Sequence, residues 1–150
     1  MTKRLRASLV CEAEGLLLVV RLRDPVTGVE GLFPPGGAVE EGETPSMAAV
    51  RETLEETGIV VTTIPDIVLC RTYPFRWAGV DYEVTTQFFA ARLDRAPALP
   101  AVVDADYNLG ASWIPVDAAL VAMAIHPPIS TAVEQVLRAA RLMEDGAPVD

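Results

Sequence analysis

Long apolar runs are missing from this 150-residue chain. The longest, residues 15–20 and 118–125, are far shorter than the roughly 20 residues that a membrane-spanning helix needs, so we expect no contact with a membrane. Histidine is also scarce. The single one, His126, precedes two prolines, and we expect it to be a loop or core residue. Catalysis by a Ser-His-Asp or Cys-His group therefore has little support.

Cysteine is nearly absent as well. Cys11 and Cys70 each lie in a strand-like apolar setting, which favours buried reduced thiols over a disulfide or a metal site. Residues 1–6 contain basic side chains, but no long apolar segment follows them, so no secretion signal is expected. These features predict a cytoplasmic protein.

Basic residues are the minority among the charged ones. Twelve lysines and arginines against 21 aspartates and glutamates give a net charge of −9. This charge would repel a phosphate backbone, which argues against a nucleic-acid polymer as the partner. A small phosphorylated substrate would need bound cations and a few local arginines. Arg21 and Arg23 share one strand face, where they would contact substrate phosphate or base, or remain solvated at the strand end.

Residues 44–58, by contrast, carry a clear helix signal. Thr44 can cap the helix with its hydroxyl group, and Pro45 suits the first helical position, where its missing N–H costs nothing. Gly58 suits the left-handed residue that ends a helix. The sequence therefore predicts a helix over residues 45–57.

This helix has two different faces, because each residue advances about 100° around the axis. One face is mostly apolar and is expected to pack on the core; its members are Met47, Val50, Leu54 and Thr57. The other face gathers three carboxylates, those of Glu52, Glu55 and Glu56. Carboxylates this close repel one another, and the repulsion grows when they are half-buried. We infer that divalent cations offset it, since Mg²⁺ and Mn²⁺ prefer carboxylate oxygens.

A solvated acidic helix face is the simpler interpretation of these glutamates. The residues around them favour a binding site instead. Gly36 and Gly37 precede the helix and let the backbone approach a ligand closely. Glu43 and Arg51 supply a further acid and a cation beside the cluster.

The whole segment resembles the signature of the Nudix (MutT-like) hydrolases, which combines glycines, an arginine and glutamates at fixed spacings. The matching residues are Gly37, Glu43, Arg51, Glu52, Glu55, Glu56, Gly58 and Ile59. Thr53 departs from the signature, which has an aliphatic residue there. We place Thr53 on the flank of the helix and expect a consequence for packing, with no loss of metal binding.

The resemblance implies specific roles for these residues. The metal ligands, for Mg²⁺ or Mn²⁺, would be the carbonyl of Gly36 and the carboxylates of Glu52, Glu55 and Glu56. Arg51 and Glu43 would pair with each other or with the carboxylate cluster, and so fix the loop against the helix. The general base would be Glu55, Glu56 or an acid from a distant loop. The loop candidates are Asp104 and Asp106, with Asp81 and Glu83 as weaker ones.

Aromatic residues alternate in one short stretch after the helix. Tyr73, Phe75 and Trp77 would share a face of an extended chain. Tyr73 and Phe75 are candidate substrate-binding residues, because aromatic rings stack on nucleobases. The same rings could instead pack a dimer interface or a hairpin tip.

The remaining pattern predicts one domain over residues 1–150, with about 1–4 and 144–150 flexible. We expect strands over residues 5–12, 15–23, 80–93 and 111–115, an extended segment over 60–72 that is broken at Pro65, and a helix over 116–123. A capping box of Thr131 and Glu134 would begin the last helix, which runs to about Met143 with an apolar stripe of Val133, Val136, Leu137 and Ala140. This order predicts an α+β fold, similar to the Nudix α/β/α sandwich with its mixed sheet.

The resemblance implies a metal-dependent pyrophosphohydrolase that cleaves a nucleoside diphosphate linked to another group X. ADP-ribose or a nucleotide sugar competes with a nucleoside triphosphate as the substrate. The alternative is a non-catalytic sensor that binds a nucleotide through the same fold, although the intact Arg51-Glu52 and Glu55-Glu56 pairs argue for catalysis. A homodimer is compatible with the family.

Overall fold

The central strand of the fold, β1 (Thr2–Ala13), lies within a mixed sheet flanked by helices on both faces. The computed structural model describes residues 1–100 and 107–145. The other elements of this part of the chain are β2 (Leu16–Arg23), β3 (Glu30–Phe33), β4 (Gly36–Ala38), α1 (Pro45–Thr57), β5 (Val68–Trp77), β6 (Val80–Arg92), β7 (Asn108–Pro115), α2 (Val116–Met123) and α3 (Pro127–Asp145).

The sheet has the strand order β3-β2-β1-β6-β5, with β4 paired to β1 and β7 paired to β2. β1 and β6 run parallel, with Arg6 opposite Thr86, whereas the other pairs are antiparallel. One core cluster lies between the sheet and the helices α2 and α3, and includes Phe88, Met123 and Val133. A second lies under α1 and includes Leu9 and Ala49. The predicted α+β sandwich with a mixed sheet is confirmed.

The ends of α1 follow the local chemistry of the sequence. The hydroxyl of Thr44 accepts a hydrogen bond of 3.2 Å from the backbone N–H of Met47, and Pro45 occupies the first turn. Gly58 has a φ of 77° and donates its N–H to the carbonyl of Leu54 at 2.9 Å. Both ends are confirmed, because they depend on residues a few positions apart.

The predicted core-facing side of α1 is largely wrong. Met47 and Leu54 are 56% and 48% exposed. The buried side consists instead of Ala48, Ala49, Thr53, Glu56 and Thr57. Small alanines let the helix lie close to β1, and the buried threonine hydroxyls donate to carbonyls within the helix, Thr53 to Ala49 at 2.7 Å and Thr57 to Thr53 at 2.6 Å. Thr53 is therefore fully buried and does not lie on the flank.

The starts of β5 and α3 differ from the sequence prediction. β5 begins at Val68 and not at residue 60, and it contains Pro74, which an edge strand tolerates because one side of it carries no ladder. α3 begins at Pro127, so Thr131 lies inside the helix and does not cap it; prolines suit the first helical turn. The predicted stripe of α3 is buried.

Cys11 is buried as predicted, but Cys70 is exposed at the edge strand.

None of the helices in the described ranges is long and apolar enough to cross a membrane.

Candidate functional site

A cavity of about 250 Å³ opens where β1, β4, β5 and the carboxylate-bearing side of α1 meet. Its lining changes from charged and polar residues to aromatic ones. The residues are Arg4, Arg6, Ser8, Leu22, Phe33, Pro34, Gly36, Gly37, Ala38, Glu52, Glu56, Tyr73, Phe75, Trp77, Val84, Phe88, Tyr107 and Ile129.

Gly36 and Gly37, the glycine pair of β4, lie in close contact with β1 and with α1 respectively. A Cβ atom on Gly37 would overlap the carboxylate of Glu52, and one on Gly36 would lie 2.5 Å from the carbonyl oxygen of Ala7. Neither glycine has a positive φ, so it is the lack of a side chain that these positions require. The backbone N–H of Gly36 donates a hydrogen bond of 2.9 Å to Oε1 of the buried Glu56. The pair thus brings two carboxylates of α1 to the cavity wall.

Arg51 connects the loop before α1 to the acidic cluster. Its guanidinium donates two hydrogen bonds to Glu43, from Nε to Oε2 at 2.7 Å and from Nη2 to Oε1 at 3.0 Å. The same group contacts Glu52 and Glu55, each at 3.1 Å, and the carbonyl of Ala38 at 3.0 Å. These bonds hold the pKa of Glu43 below its ordinary value. The pairing of Arg51 with both Glu43 and the cluster is as the sequence predicts.

The three glutamates of the cluster have different surroundings. The side chains of Glu52 and Glu55 are 17% and 51% exposed, while Glu56 is buried. Burial, together with the neighbouring Glu55, raises the pKa of Glu52 to about 7 against the opposing charge of Arg51. A carboxyl group with such a pKa lies where its negative charge is incompletely compensated.

Arg4 and Arg6 are the arginines of the cavity, and the sequence reasoning missed them. With Ser8 they occupy alternate positions on β1, so they face the same side of the sheet. The guanidinium of Arg4 lies 4.5 Å from the centre of the Tyr82 ring. The sequence signal was the alternation Arg-Leu-Arg-Ala-Ser, which can be recognised once residues 4–8 are known to be in a strand.

Phe33, Phe75 and Trp77 form an aromatic wall at the other part of the cavity. The rings of Phe75 and Trp77 lie 6.2 Å apart and nearly parallel, and Phe33 is edge-on to both at 6.2 and 6.4 Å. His126 stacks on Phe33 at 5.4 Å, and burial lowers its pKa. Tyr73 also lines the cavity, but its hydroxyl is bonded to Thr86 at 2.9 Å. His126 is therefore the loop or core residue that the sequence predicts.

The structure does not bring every predicted site residue to this cavity. Arg21 and Arg23 are exposed and lie within 3.8 and 4.0 Å of Glu30, away from the cavity lining. Asp81 pairs with Arg76 at 2.8 Å. Asp104 and Asp106, the loop acids, lie outside the described residues.

The oxygen donors at the glycine pair suit a hard divalent cation. Gly36, Glu52 and Glu56 line one cavity and Glu55 is adjacent to Glu52, so the donor set is all oxygen, as Mg²⁺ and Mn²⁺ prefer. Within the described ranges, no three acidic, histidine or cysteine side chains converge as a ready-made ion site. Glu52 and Glu55 accept hydrogen bonds from Arg51, and Glu56 accepts one from the backbone of Gly36.

Comparisons with known proteins agree with this geometry. The model of the NUDIX domain matches residues 2–135. Among solved structures, an Ap4A hydrolase of C. elegans has a TM-score of 0.68 and 20% identity, covering 91% of this chain and 98% of its own. A NUDIX hydrolase of Nitrosomonas europaea has a TM-score of 0.64 and 24% identity, with 93% and 90% covered. The E. coli dihydroneopterin triphosphate pyrophosphohydrolase has a TM-score of 0.65 and 25% identity, with 90% and 97% covered.

A search of curated protein sequences found no match. The match of the family model spans nearly the whole chain, and Gly36, Gly37, Glu52 and Glu56 line one cavity, with Arg51 hydrogen-bonded to Glu52. The chain therefore belongs to the NUDIX domain family and is a hydrolase of phosphoric anhydride bonds.

Proposed function

We propose that this hydrolase is a Mg²⁺- or Mn²⁺-dependent pyrophosphohydrolase of nucleotide-type substrates, in which a nucleoside diphosphate is linked to another group X. The observation that carries the proposal is the juxtaposition of two carboxylates, Glu52 and Glu56, with the aromatic wall in one cavity. The first part suits a cation and a diphosphate, and the second suits a planar base.

The carbonyl of Gly36 and the carboxylates of Glu52, Glu55 and Glu56 would hold the cation. When bound, a divalent cation would neutralise the charge of the diphosphate and lower the pKa of a bound water. Among these residues, Glu55 is the most exposed and Glu56 lies deepest, next to the glycine pair. Either can accept the proton of the attacking water, as can Asp104 or Asp106 if the loop brings them to the cavity.

Arg51 and Glu43 support the site without contacting the substrate in this proposal. Their paired hydrogen bonds fix the loop to α1, and the remaining Arg51 donors orient Glu52 and Glu55. Groups that orient ligands in this way commonly change metal affinity or activity by about 10- to 100-fold when they are removed. Arg21 and Arg23 have no part in the proposed site, because both lie beside Glu30.

A substrate panel would identify group X. The panel contains ADP-ribose, a nucleotide sugar and nucleoside triphosphates. It also contains diadenosine tetraphosphate (Ap4A) and dihydroneopterin triphosphate, the compounds after which two of the structural neighbours are named. The aromatic wall lies against one part of the cavity, so a planar group at one end of the diphosphate is favoured.

The test is product analysis by chromatography after incubation of each compound with Mg²⁺ or Mn²⁺. We expect cleavage of a phosphoric anhydride bond in at least one compound, and loss of that cleavage in Glu55→Gln and Glu56→Gln while both variants stay folded. Full activity in both variants would refute the roles given to these acids.

The second candidate is a nucleotide sensor without catalysis. The arrangement that could favour it is the engagement of Glu52 and Glu55 by Arg51, which competes with a cation for the same oxygens. A thermal-shift screen of the same panel separates the two: stabilisation by a compound that is never cleaved identifies a sensor, whereas cleavage identifies the enzyme.

A cytoplasmic location and a homodimer complete the proposal, and size-exclusion chromatography with light scattering tests the dimer.

A further inference from the structure

Arg6 differs from the other arginines of the described residues in having a partly buried side chain with no carboxylate partner. Three arginines in residues 1–100 and 107–143 are partly buried: Arg6, Arg51 and Arg92. Arg51 contacts Glu43, Glu52 and Glu55, and Arg92 contacts Glu12 at 3.1 Å. For Arg6, no hydrogen bond and no ion pair within 4 Å joins it to another residue in these ranges.

Partial burial of an arginine without a partner is unfavourable, because the guanidinium loses water and gains no compensating acceptor. A protein that keeps such a charge at a cavity wall leaves it available for an anion. Arg6 lines the cavity beside Arg4 and Ser8, and its charge lowers the pKa values of Glu52 and Tyr73, which line the same cavity. Its charge therefore faces the space between β1 and the carboxylates of α1.

The backbone of Arg6 is held rigidly for such a role. On one side it is opposite Ala38 of β4, the residue after the glycine pair, and on the other it is opposite Thr86 of β6. The register thus places Arg6 beside the residue that follows the glycine pair, whereas Arg4, two residues away, is about 7 Å further along β1. Arg4 lies over Tyr82, in the direction of the aromatic residues.

We propose that Arg6 is the residue that anchors the substrate's diphosphate, binding its phosphoryl oxygens from the side of the cavity opposite Glu52. This inference rests on the proposed function and deepens it, because it fixes the orientation of the substrate. The phosphate groups lie between Arg6 and α1, and group X or the base extends past Arg4 to the aromatic wall. Guanidinium groups suit this task because their fork of donors can bind two phosphoryl oxygens at once.

The experiment measures binding of inorganic pyrophosphate by calorimetry in the presence of Mg²⁺, and binding of Mn²⁺ alone, for the wild type and for Arg6→Ala, Arg6→Gln and Arg6→Lys. Lys3→Ala is the matched control. It removes one positive charge from the same strand, but its side chain is 84% exposed and points away from the cavity.

We expect Arg6→Ala and Arg6→Gln to weaken pyrophosphate binding about 10- to 100-fold, as for loss of a hydrogen bond to a charged group, and Arg6→Lys to weaken it less. Binding of Mn²⁺ alone should be unchanged or slightly tighter in these variants, because a nearby positive charge has been removed. Lys3→Ala should leave both affinities at the wild-type value. Arg6→Gln preserves most of the side-chain length, so it serves if Arg6→Ala fails to fold.

Wild-type pyrophosphate affinity in Arg6→Ala or Arg6→Gln would overturn the inference, as would an equal loss of Mn²⁺ and pyrophosphate affinity, which indicates a merely structural role. Lack of pyrophosphate binding by the wild type would overturn it as well. The proposed function fails separately: if the wild type binds pyrophosphate through Arg6 but cleaves no compound of the panel, the anchor stands and the catalytic role does not.

Discussion

The buried carboxylate of Glu56 accepts a hydrogen bond of 2.9 Å from the backbone N–H of Gly36. The two residues are 20 positions apart, so this single bond ties α1 to the short strand β4. Gly36 is itself opposite Ser8 of β1, which lines the cavity. The position of an acid that we assign to catalysis is thus set by a backbone group of the glycine pair.

Replacing Glu56 by glutamine separates the chemical role of the carboxylate from its structural one. In Glu56→Gln the amide oxygen can still accept the Gly36 N–H, so we expect the free energy of unfolding to change by less than about 1 kcal/mol. We expect kcat/KM to fall by at least about 100-fold, because the negative charge and the basic group are lost. Glu56→Ala, which leaves the buried N–H without its acceptor, should lower stability by about 1–3 kcal/mol. Chemical denaturation and steady-state kinetics measure the two effects; an active Glu56→Gln enzyme would contradict the assignment.

Gly37→Ala should damage the metal site more than the fold. The added Cβ overlaps the carboxylate of Glu52, and we expect that side chain to move out of the cavity. Affinity for Mn²⁺ should fall by about 10-fold or more, in the range found when groups that orient ligands are disturbed.

The matched control for this variant is Gly28→Ala. A Cβ there has nothing within 4 Å, but the φ of +75° is strained for alanine. We expect Gly28→Ala to lose about 1 kcal/mol of stability with unchanged Mn²⁺ affinity. Equal Mn²⁺ affinity in Gly37→Ala and the wild type would show that the glycine is not needed to position Glu52.

The raised pKa of Glu52, about 7, predicts an unusual pH dependence of the folding stability when a chelator keeps the protein free of metal. The folded state binds a proton at Glu52 more tightly than the unfolded state, so this group stabilises the fold fully below its ordinary pKa. Its contribution is lost as pH rises towards 7. Urea denaturation in EDTA should therefore show stability falling between about pH 5 and 7, with a flatter profile in Glu52→Gln.

Other carboxylates change stability outside that window. The pKa values of Glu12 and Glu43 are lowered by hydrogen bonds from Arg141 and Arg51 respectively, so their contributions are lost only at more acidic pH. Protonation of the Glu52 carboxylate also competes with metal binding to it, so Mn²⁺ should bind more weakly at pH 6 than at pH 8. An identical stability profile for the wild type and Glu52→Gln would contradict the raised pKa.

Thr53, the residue that departs from the signature, should be replaceable. Its hydroxyl donates to the carbonyl of Ala49 within α1, and the side chain is fully buried. Thr53→Val removes this donor without leaving another group unpaired, so we expect stability within about 1 kcal/mol of the wild type. Metal affinity and kcat should be unchanged. A variant that folds normally but loses metal binding would link Thr53 to the site itself.

Sequence reasoning succeeded where the determining residues are neighbours in the chain. Thr44 and Gly58 mark the ends of α1 because a cap is made within a few residues. The resemblance to the signature also implied that Arg51 and Glu43 pair with each other or with the carboxylate cluster, and Arg51 makes both contacts. The faces of α1 were not, since hydrophobicity alone favours burying Met47 and Leu54 over Thr53. Close packing on β1 and hydrogen bonds within the helix decided otherwise.

The arginines of the cavity could not be predicted because they depend on strand register. Arg21 and Arg23 have the same spacing as Arg4 and Arg6, and both pairs are in strands. Only the pairing of β1 with β4 places Arg6 beside the glycine pair, whereas the pairing of β2 with β3 places Arg21 near Glu30. Such long-range pairings leave no mark in the local sequence.

In the proposed function, the carboxylates at the glycine pair hold a divalent cation for pyrophosphate cleavage. Calorimetric titration of Mn²⁺ into the wild type, Glu52→Gln and Glu56→Gln, at pH 8 and with and without pyrophosphate, tests it most directly. We expect Mn²⁺ to bind the wild type, to bind it more tightly in the presence of pyrophosphate, and to bind both variants more weakly. Absence of Mn²⁺ uptake by the folded wild type, with or without pyrophosphate, would contradict it.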